Sequence, residues 1–367
     1  MAADVRKERQ LPSGEEGHVD RMIDLELLKA LAIIAMILCH PVLRLGVQRP
    51  GYQREFLFFF GDVILGDYLA VAHAFMFAMG VGVAYTRRGA PKQLMGRGVR
   101  LFLMGYALNF FRYGLLALLD GLISGVFEPE TLEALFGPDI LQFAGLALLA
   151  TGVFRKLKLR EGHIFAIGLL LSVVGAGLPF VDTGNYVLNL LLGHFVVTTG
   201  DTSCFAFLHW YVFAAAGLLF GSILQRTGNT DRFYRRLMLA AGGVTAVYLT
   251  TSSIFGAMFL CRSRNYYAVS LPEAAGLLSI DLFLLSAFHF RFLAPRVSDR
   301  RIRVFLEMSR NVTPIYCIHW CLLGLIDGVC SYLLGVTFSW PVIYGIGLML
   351  IIVSFLLARL WRTRKGG

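Results

Sequence analysis

A glutamate, a lysine and a histidine interrupt the apolar segment DLELLKALAIIAMILCHPVLRL, residues 24–45, and their spacing follows the turns of a helix. Lys29 and His40 are about three helical turns apart, so both lie on one face, about 16 Å from each other along the axis. Glu26 precedes Lys29 by three residues and can pair with it. The imidazole of His40, with an ordinary pKa of about 6.5, can take a proton from a hydroxyl and is a candidate general base.

The composition of the whole chain indicates that this helix crosses a membrane. Of 367 residues, 57% are hydrophobic and 16% charged, whereas soluble domains carry about 25% charged residues. Runs of about 20 apolar residues can each cross about 30 Å of hydrocarbon. The predicted spans are 23–43, 67–86, 99–119, 140–156, 163–183, 205–225, 237–260, 273–294, 312–334 and 341–361. We therefore predict an all-α integral membrane protein, a bundle of about ten transmembrane helices around a central cavity.

The distribution of basic residues predicts how the chain is oriented. Lys and Arg cluster in alternate loops, at 87–100, 155–160, 225–236, 291–310 and 359–365. This positive-inside bias places both termini in the cytoplasm and accounts for most of the net charge of +10, so no nucleic-acid partner is predicted. We expect one transmembrane domain at 21–362, with cytoplasmic tails at 1–20 and 363–367, in a bacterial cytoplasmic membrane. Whether the chain forms a homo-oligomer is left open.

Charged groups inside a span are costly, and two interpretations of Lys29 and His40 are open. In the first, Lys29 and Glu26 extend to the membrane interface, and His40 caps the other helix end before Pro41. In the second, Lys29 and His40 line a cavity, because intramembrane ionisable residues usually face a cavity rather than lipid. The shared register of Lys29 and His40 favours the second interpretation.

The spacing of the cysteines does not predict a disulfide framework. Cys204 and Cys261 lie near the non-cytoplasmic side, and whether they are oxidised is left open. Cys317, His319 and Cys321 have the close spacing of metal ligands, but on a helix His319 points away from both cysteines. No metal site is therefore predicted.

Several motifs of the chain resemble the acyltransferase 3 family. The first helix of that family carries a basic residue, ten further residues and a histidine, matched here by Lys29 and His40, and it often has an acidic residue at the position of Glu26. The segment LAVAHAFMFAMGVGVAYTRR at 69–88 is similar to the family's DLFFVLSGF helix, with His73 in place of the usual acid. The segment RGVRLFLMGY at 97–106 resembles its arginine-rich entry to the third helix.

A late motif extends the resemblance. The segment MSRNVTPIYCIHW at 308–320 is similar to the family's SYxxYxxH pattern and matches Ser309, Tyr316 and His319. By this resemblance Tyr316, His319 and His73 are candidate substrate-binding residues. The alternative is that His73 and His319 are structural and only satisfy buried hydrogen bonds.

The resemblance implies an enzyme that transfers an acyl group, acetyl by default, from cytoplasmic acyl-coenzyme A to a sugar or glycan hydroxyl or amine outside. The catalytic group would then comprise His40, Lys29 and Glu26, with His40 near the thioester. Lys29, Arg97 and Arg100 would bind the coenzyme A donor, whose pantetheine arm is comparable in length to the Lys29–His40 separation. For Arg97 and Arg100, a role in membrane topology alone is left open. Whether His40 acts as a base or carries the acyl group covalently is left open.

Arg112 and Asn109 share a face of the third span. A buried arginine needs a partner, and two roles are open. Arg112 either binds donor phosphate or acceptor groups with Asn109, or forms a structural pair. The acids considered as its partner are Glu26, Asp62, Asp67 and Asp281.

Two other functions compete with acyl transfer. A transporter or flippase with a proton-relay histidine also fits polar residues on a ten-helix frame, but such proteins tend to show duplicated halves and broken helices. Neither is visible in this sequence. A scaffold without chemistry would leave the shared register of Lys29 and His40 unexplained.

Overall fold

The chain is described by a computed structural model at residues 22–49, 51–69, 71–86, 89–126, 129–199, 203–261, 265–292 and 300–365. Of the described residues, 82% are helical and none forms a strand, which confirms an all-α fold. The predicted tail at 1–20 lies outside the described residues. At the other end the helix continues to Lys365, and a cytoplasmic tail at 363–367 stays a prediction.

The helices begin and end as follows. They are α1 Ile23–Leu45, α2 Phe56–Phe59, α3 Val71–Tyr85, α4 Pro91–Asn109, α5 Leu115–Ser124, α6 Pro129–Phe136, α7 Ile140–Lys156, α8 Glu161–Gly177, α9 Tyr186–Leu192, α10 Phe207–Gln225, α11 Thr230–Phe255, α12 Leu271–Phe292, α13 Arg300–Arg310, α14 Val312–Ile326 and α15 Trp340–Lys365. Three wider π-helical segments extend these helices, at Phe60–Tyr68, Phe110–Gly114 and Asp327–Leu333.

Eight helical stretches of the described chain are long and apolar enough to cross a membrane. They are Ile23–Gln48, Phe56–Tyr85, Pro91–Ser124, Phe207–Gln225, Thr230–Phe255, Leu271–Phe290, Val312–Cys330 and Trp340–Arg364. The second and third of these stretches are longer than the predicted spans at 67–86 and 99–119. The second starts at Phe56 because the segment FLFFFGDVILG is apolar apart from Asp62. The third starts at Pro91, whose fixed φ suits a first helical turn, so 91–100 is helix rather than loop.

Helices α7 and α8 correspond in position to the other two predicted spans, at 140–156 and 163–183. Each has 17 residues, which is about 26 Å of helix. Helix α7 packs antiparallel on α4, where Gly98 and Gly145 let the two backbones approach closely, and α8 packs in the same way on α10, with Gly168 against Ala215. Helix α8 is apolar but shorter than the eight long stretches, and the count of ten spans stays a prediction.

Helices α3 and α10 are held together by glycine contacts of the kind that small residues make in membranes. A Cβ at Gly80 would collide with the carbonyl oxygen of Ala214, and one at Gly217 would collide with that of Phe77. By contrast, a Cβ at Gly82 would meet no atom within 4 Å.

We expect Gly80→Ala to destabilise the protein by about 1–3 kcal/mol, because the two helices must separate to admit the methyl group. Gly82→Ala, two residues along the same helix, should leave stability unchanged or slightly higher, since alanine favours the helix. Thermal unfolding of both variants in detergent measures the difference. Equal midpoints would show that the α3–α10 contact does not limit stability.

Candidate active site

The imidazoles of His40 and His319 meet between α1 and α14. Nδ1 of His40 lies 2.9 Å from Nε2 of His319, and Nδ1 of His319 donates to the carbonyl oxygen of Ile315 at 3.1 Å. The two rings are nearly parallel, at 7°. His319 is fully buried, whereas His40 is partly exposed. The two histidines that the sequence picked out separately therefore form one pair.

Aromatic and cationic groups surround His40. The indole of Trp320 lies against the His40 ring, with 4.1 Å between ring centroids. The guanidinium of Arg112 lies 4.5 Å from the centroid of Trp320 and 5.0 Å from that of Tyr113. A positive charge is therefore held close to the histidine pair by cation–π contacts.

Arg112 is neutralised by Asp139, at the first turn of α7. Its Nη1 lies 2.6 Å from Oδ2 of Asp139, and its Nη2 donates to Oδ1 of Asn109 at 3.0 Å. Tyr316 donates to the same carboxylate at 3.3 Å. None of the four acids predicted as partners is involved. Asp139 caps α7 through the Ile140 amide, and tertiary packing brings this cap to Arg112.

A π-helical segment supplies the edge of the site beyond His40. Arg44, one turn beyond His40 on α1, donates from its Nη2 to Oδ2 of Asp327 at 3.1 Å, and Gln48 donates to Oδ1 of Asp327 at 3.2 Å. Asp327 begins the segment Asp327–Leu333, and Arg112 lies in Phe110–Gly114. Segments of this kind often occur at functional sites because their wider turns redirect side chains.

The amino-terminal end of α1 carries a second polar group. Nζ of Lys29 donates to Oε1 of Glu26 at 2.8 Å, as predicted, and Oγ of Ser309 donates to Oε2 of Glu26 at 2.7 Å. Between Lys29 and His40 the same face carries Ile33 and Met36, which are buried in the apolar core. Packed side chains thus separate the two polar ends of the predicted cavity.

The remaining predicted residues lie apart from His40. Arg97 and Arg100 are exposed near the start of α4. His73 is fully buried, with its Nδ1 2.8 Å from Oδ2 of Asp281. Because His73 and His319 offer no exposed surface, contact with an acceptor would require their helices to move apart.

The described residues contain no group of three His, Cys, Asp or Glu side chains that could hold a metal ion.

A family model of the acyltransferase domain matches residues 22–359, nearly the whole chain. The chain belongs to the acyltransferase 3 family. No curated protein matches its sequence significantly. This membership makes the protein a membrane acyltransferase and confirms the resemblance stated above.

The motifs of this acyltransferase meet in space, as two pairs between the first helix and the late segment. Glu26 bonds to Ser309, and His40 bonds to His319. Sequence reasoning missed Asp139, Tyr113 and Trp320. A signal existed for Asp139, since an aspartate directly before an apolar helical run is a typical N-cap. No sequence signal marked the two aromatic residues.

Proposed function

We propose that this acyltransferase moves an acetyl group from cytoplasmic acyl-coenzyme A to a hydroxyl or amine of an extracytoplasmic acceptor, such as a sugar or glycan. The proposal rests on the surroundings of the His40 imidazole. Its ring is oriented by His319 and Trp320, and its Nε2 has no hydrogen-bond partner among the described residues and is not fully buried. A basic nitrogen with an oriented ring and a free lone pair is what a general base requires.

In the proposed reaction His40 takes the acceptor's proton while the acceptor oxygen or nitrogen attacks the thioester carbonyl carbon. The tetrahedral intermediate collapses, the carbon–sulfur bond breaks, and the thiolate of coenzyme A receives the proton from His40. The charge of Arg112, held beside Trp320, favours the oxyanion of the intermediate. The products are the acylated acceptor and free coenzyme A.

The arrangement of charges along α1 supports a donor that enters from the cytoplasm. Lys29 lies at the end of α1 that is joined to Ser309, and His40 lies about three turns further along. A pantetheine arm that follows this face would displace the contacts of Ile33 and Met36. Lys29 and the exposed Arg97 and Arg100 would then bind amide and phosphate groups of the donor.

The experiment that tests the proposal uses purified protein in nanodiscs. Calorimetry measures binding of acetyl-coenzyme A, and release of free thiol with and without sugar acceptors measures turnover. We expect saturable binding and acceptor-dependent thiol release. Absence of binding at millimolar donor would refute the proposal and favour transport.

We expect the double substitution Arg97→Ala/Arg100→Ala to raise the donor KM about tenfold, equivalent to about 1.4 kcal/mol, with little change in kcat. Both guanidinium groups are lost from the side where donor phosphates would bind. The matched control is Arg362→Ala/Arg364→Ala, an exposed basic pair near the end of α15, which should leave KM unchanged. A KM that also stays unchanged in the first variant would assign Arg97 and Arg100 to topology alone.

We expect both termini to be cytoplasmic, because ten spans alternate with the basic loops. Single cysteines at Lys92 and Leu157, both exposed, should react with an impermeant thiol reagent only from the cytoplasmic side. A cysteine at Val336, exposed between α14 and α15, should react only from outside. Outside labelling of positions 92 or 157 would contradict this orientation.

A further inference from the structure

The bond from His319 to Ile315 determines which ring nitrogen of His319 carries a proton. The Ile315 carbonyl oxygen can only accept, so at 3.1 Å the Nδ1 of His319 must donate. A neutral imidazole has one N–H, and Nε2 of His319 is therefore an acceptor. The opposite tautomer would set the Nδ1 lone pair against the carbonyl lone pairs.

The proton position on His319 also determines the proton position on His40. Nε2 of His319 and Nδ1 of His40 are 2.9 Å apart and share one proton. Since Nε2 of His319 accepts, that proton belongs to Nδ1 of His40. The lone pair of His40 then lies on Nε2, the nitrogen without a hydrogen-bond partner.

We propose that His319 is a positioning residue, which holds His40 in the tautomer that makes Nε2 its basic nitrogen. The inference rests on the proposed function, because it concerns the same base. His319 would do for His40 what a carboxylate does for histidine in hydrolytic triads, but with a neutral imidazole and a backbone carbonyl. When His40 takes up a proton, its Nδ1–H bond to His319 becomes charge-assisted and stronger. The bond therefore favours the transition state over the ground state.

The fold holds this pair in register from both sides. Glu26 accepts from Ser309 on the cytoplasmic side, and Arg44 bonds to Asp327 on the other. Both pairs have the same sequence offset of 283 residues, and His40 and His319, with an offset of 279, lie between them. Ser309 lies near the end of α13, and Asp327 begins the π-helical segment after α14. The chain from Ser309 to Asp327 therefore runs parallel to α1 and is bonded to it on both sides of the histidine pair.

The test compares three variants of the full-length protein in nanodiscs. His319→Leu removes the acceptor, and we expect kcat to fall about 10²-fold with KM unchanged. His319→Gln can place an amide oxygen where Nε2 was, and it should stay within about tenfold of wild type. His209→Leu is the matched control, since His209 is also buried and donates from Nδ1 to a backbone carbonyl, that of Val269, at 2.9 Å. It should not lower the kcat of the folded fraction.

A second measurement does not depend on activity. Nitrogen-15 histidine NMR at alkaline pH, with the His40 signal identified by its loss in His40→Ala, reports the tautomer directly. We expect the His40 proton on Nδ1 in the wild type and a shift toward Nε2 in His319→Leu. A wild-type proton on Nε2 would overturn the inference.

The outcomes separate this inference from the proposed function. If His40→Ala retains transfer, His40 is not the base and the proposed mechanism fails. If His40→Ala is inactive while His319→Leu matches His209→Leu in kcat, the base stands and the positioning role is refuted. Rescue by glutamine, with the predicted tautomer, supports both.

Discussion

Replacing His40 with alanine is expected to reduce acyl transfer by about 10²–10⁴-fold, the usual contribution of a positioned base. Donor binding should persist, because Lys29 lies about 16 Å away along α1. Folding should persist as well, since His40 is partly exposed and only its His319 bond is lost. Radiolabelled acetyl transfer in nanodiscs, alongside calorimetric binding of the donor, separates the two effects.

A positional control tests whether the face of α1 matters as well as the residue type. The exchange Cys39→His/His40→Cys keeps the composition but turns the imidazole by about 100° around the helix. Position 39 is buried, so the moved imidazole cannot reach the same space, and activity should not return. Near-normal transfer by His40→Ala would contradict the proposed base and make His73 or His319 the next candidate.

Replacing Asp139 with alanine is expected to cost about 3–5 kcal/mol of stability, because it leaves the buried charge of Arg112 without its counter-ion. The Arg112 and Asp139 side chains are only 12% and 15% exposed, and their charged atoms are 2.6 Å apart. The same change removes the cap of α7 and the acceptor of Tyr316. Denaturant unfolding in mixed micelles measures the loss.

An exposed ion pair of the same type provides the matched control. Arg226 and Glu161 are 3.8 Å apart, with Arg226 77% exposed, so Glu161→Ala should change stability by less than about 1 kcal/mol. The double variant Arg112→Met/Asp139→Leu should recover stability but not activity, since it removes both charges. Equal destabilisation by Asp139→Ala and Glu161→Ala would show that the Arg112–Asp139 pair is not a buried stabilising contact.

The features that could be predicted from the sequence depend on residues that are close together along the chain. Apolar runs of about 20 residues predicted the membrane helices because a span must satisfy its own backbone hydrogen bonds. The three-residue spacing of Glu26 and Lys29 predicted their ion pair, which the structure confirms. The shared face of Lys29 and His40 follows from helical periodicity alone.

The ends of the helices could be predicted from the sequence only in part. The second and third helical stretches begin before the spans predicted at 67–86 and 99–119. A lone acid such as Asp62, or basic residues such as Arg97, can belong to a membrane helix whose end reaches the interface. Hydropathy averages over such residues, whereas the backbone continues as helix through them.

Which distant groups meet depends on how the helices pack. His40 and His319 are 279 residues apart, and His73 and Asp281 are 208 apart. The partner of Arg112 is Asp139 and none of the four acids considered. Helix α7 packs antiparallel on α4, and this places its N-cap beside Arg112. Periodicity determines the face on which a side chain lies, but helix packing determines what that face touches. For this reason the candidate base was visible in the sequence, and the imidazole and carbonyl that orient it were visible only in the fold.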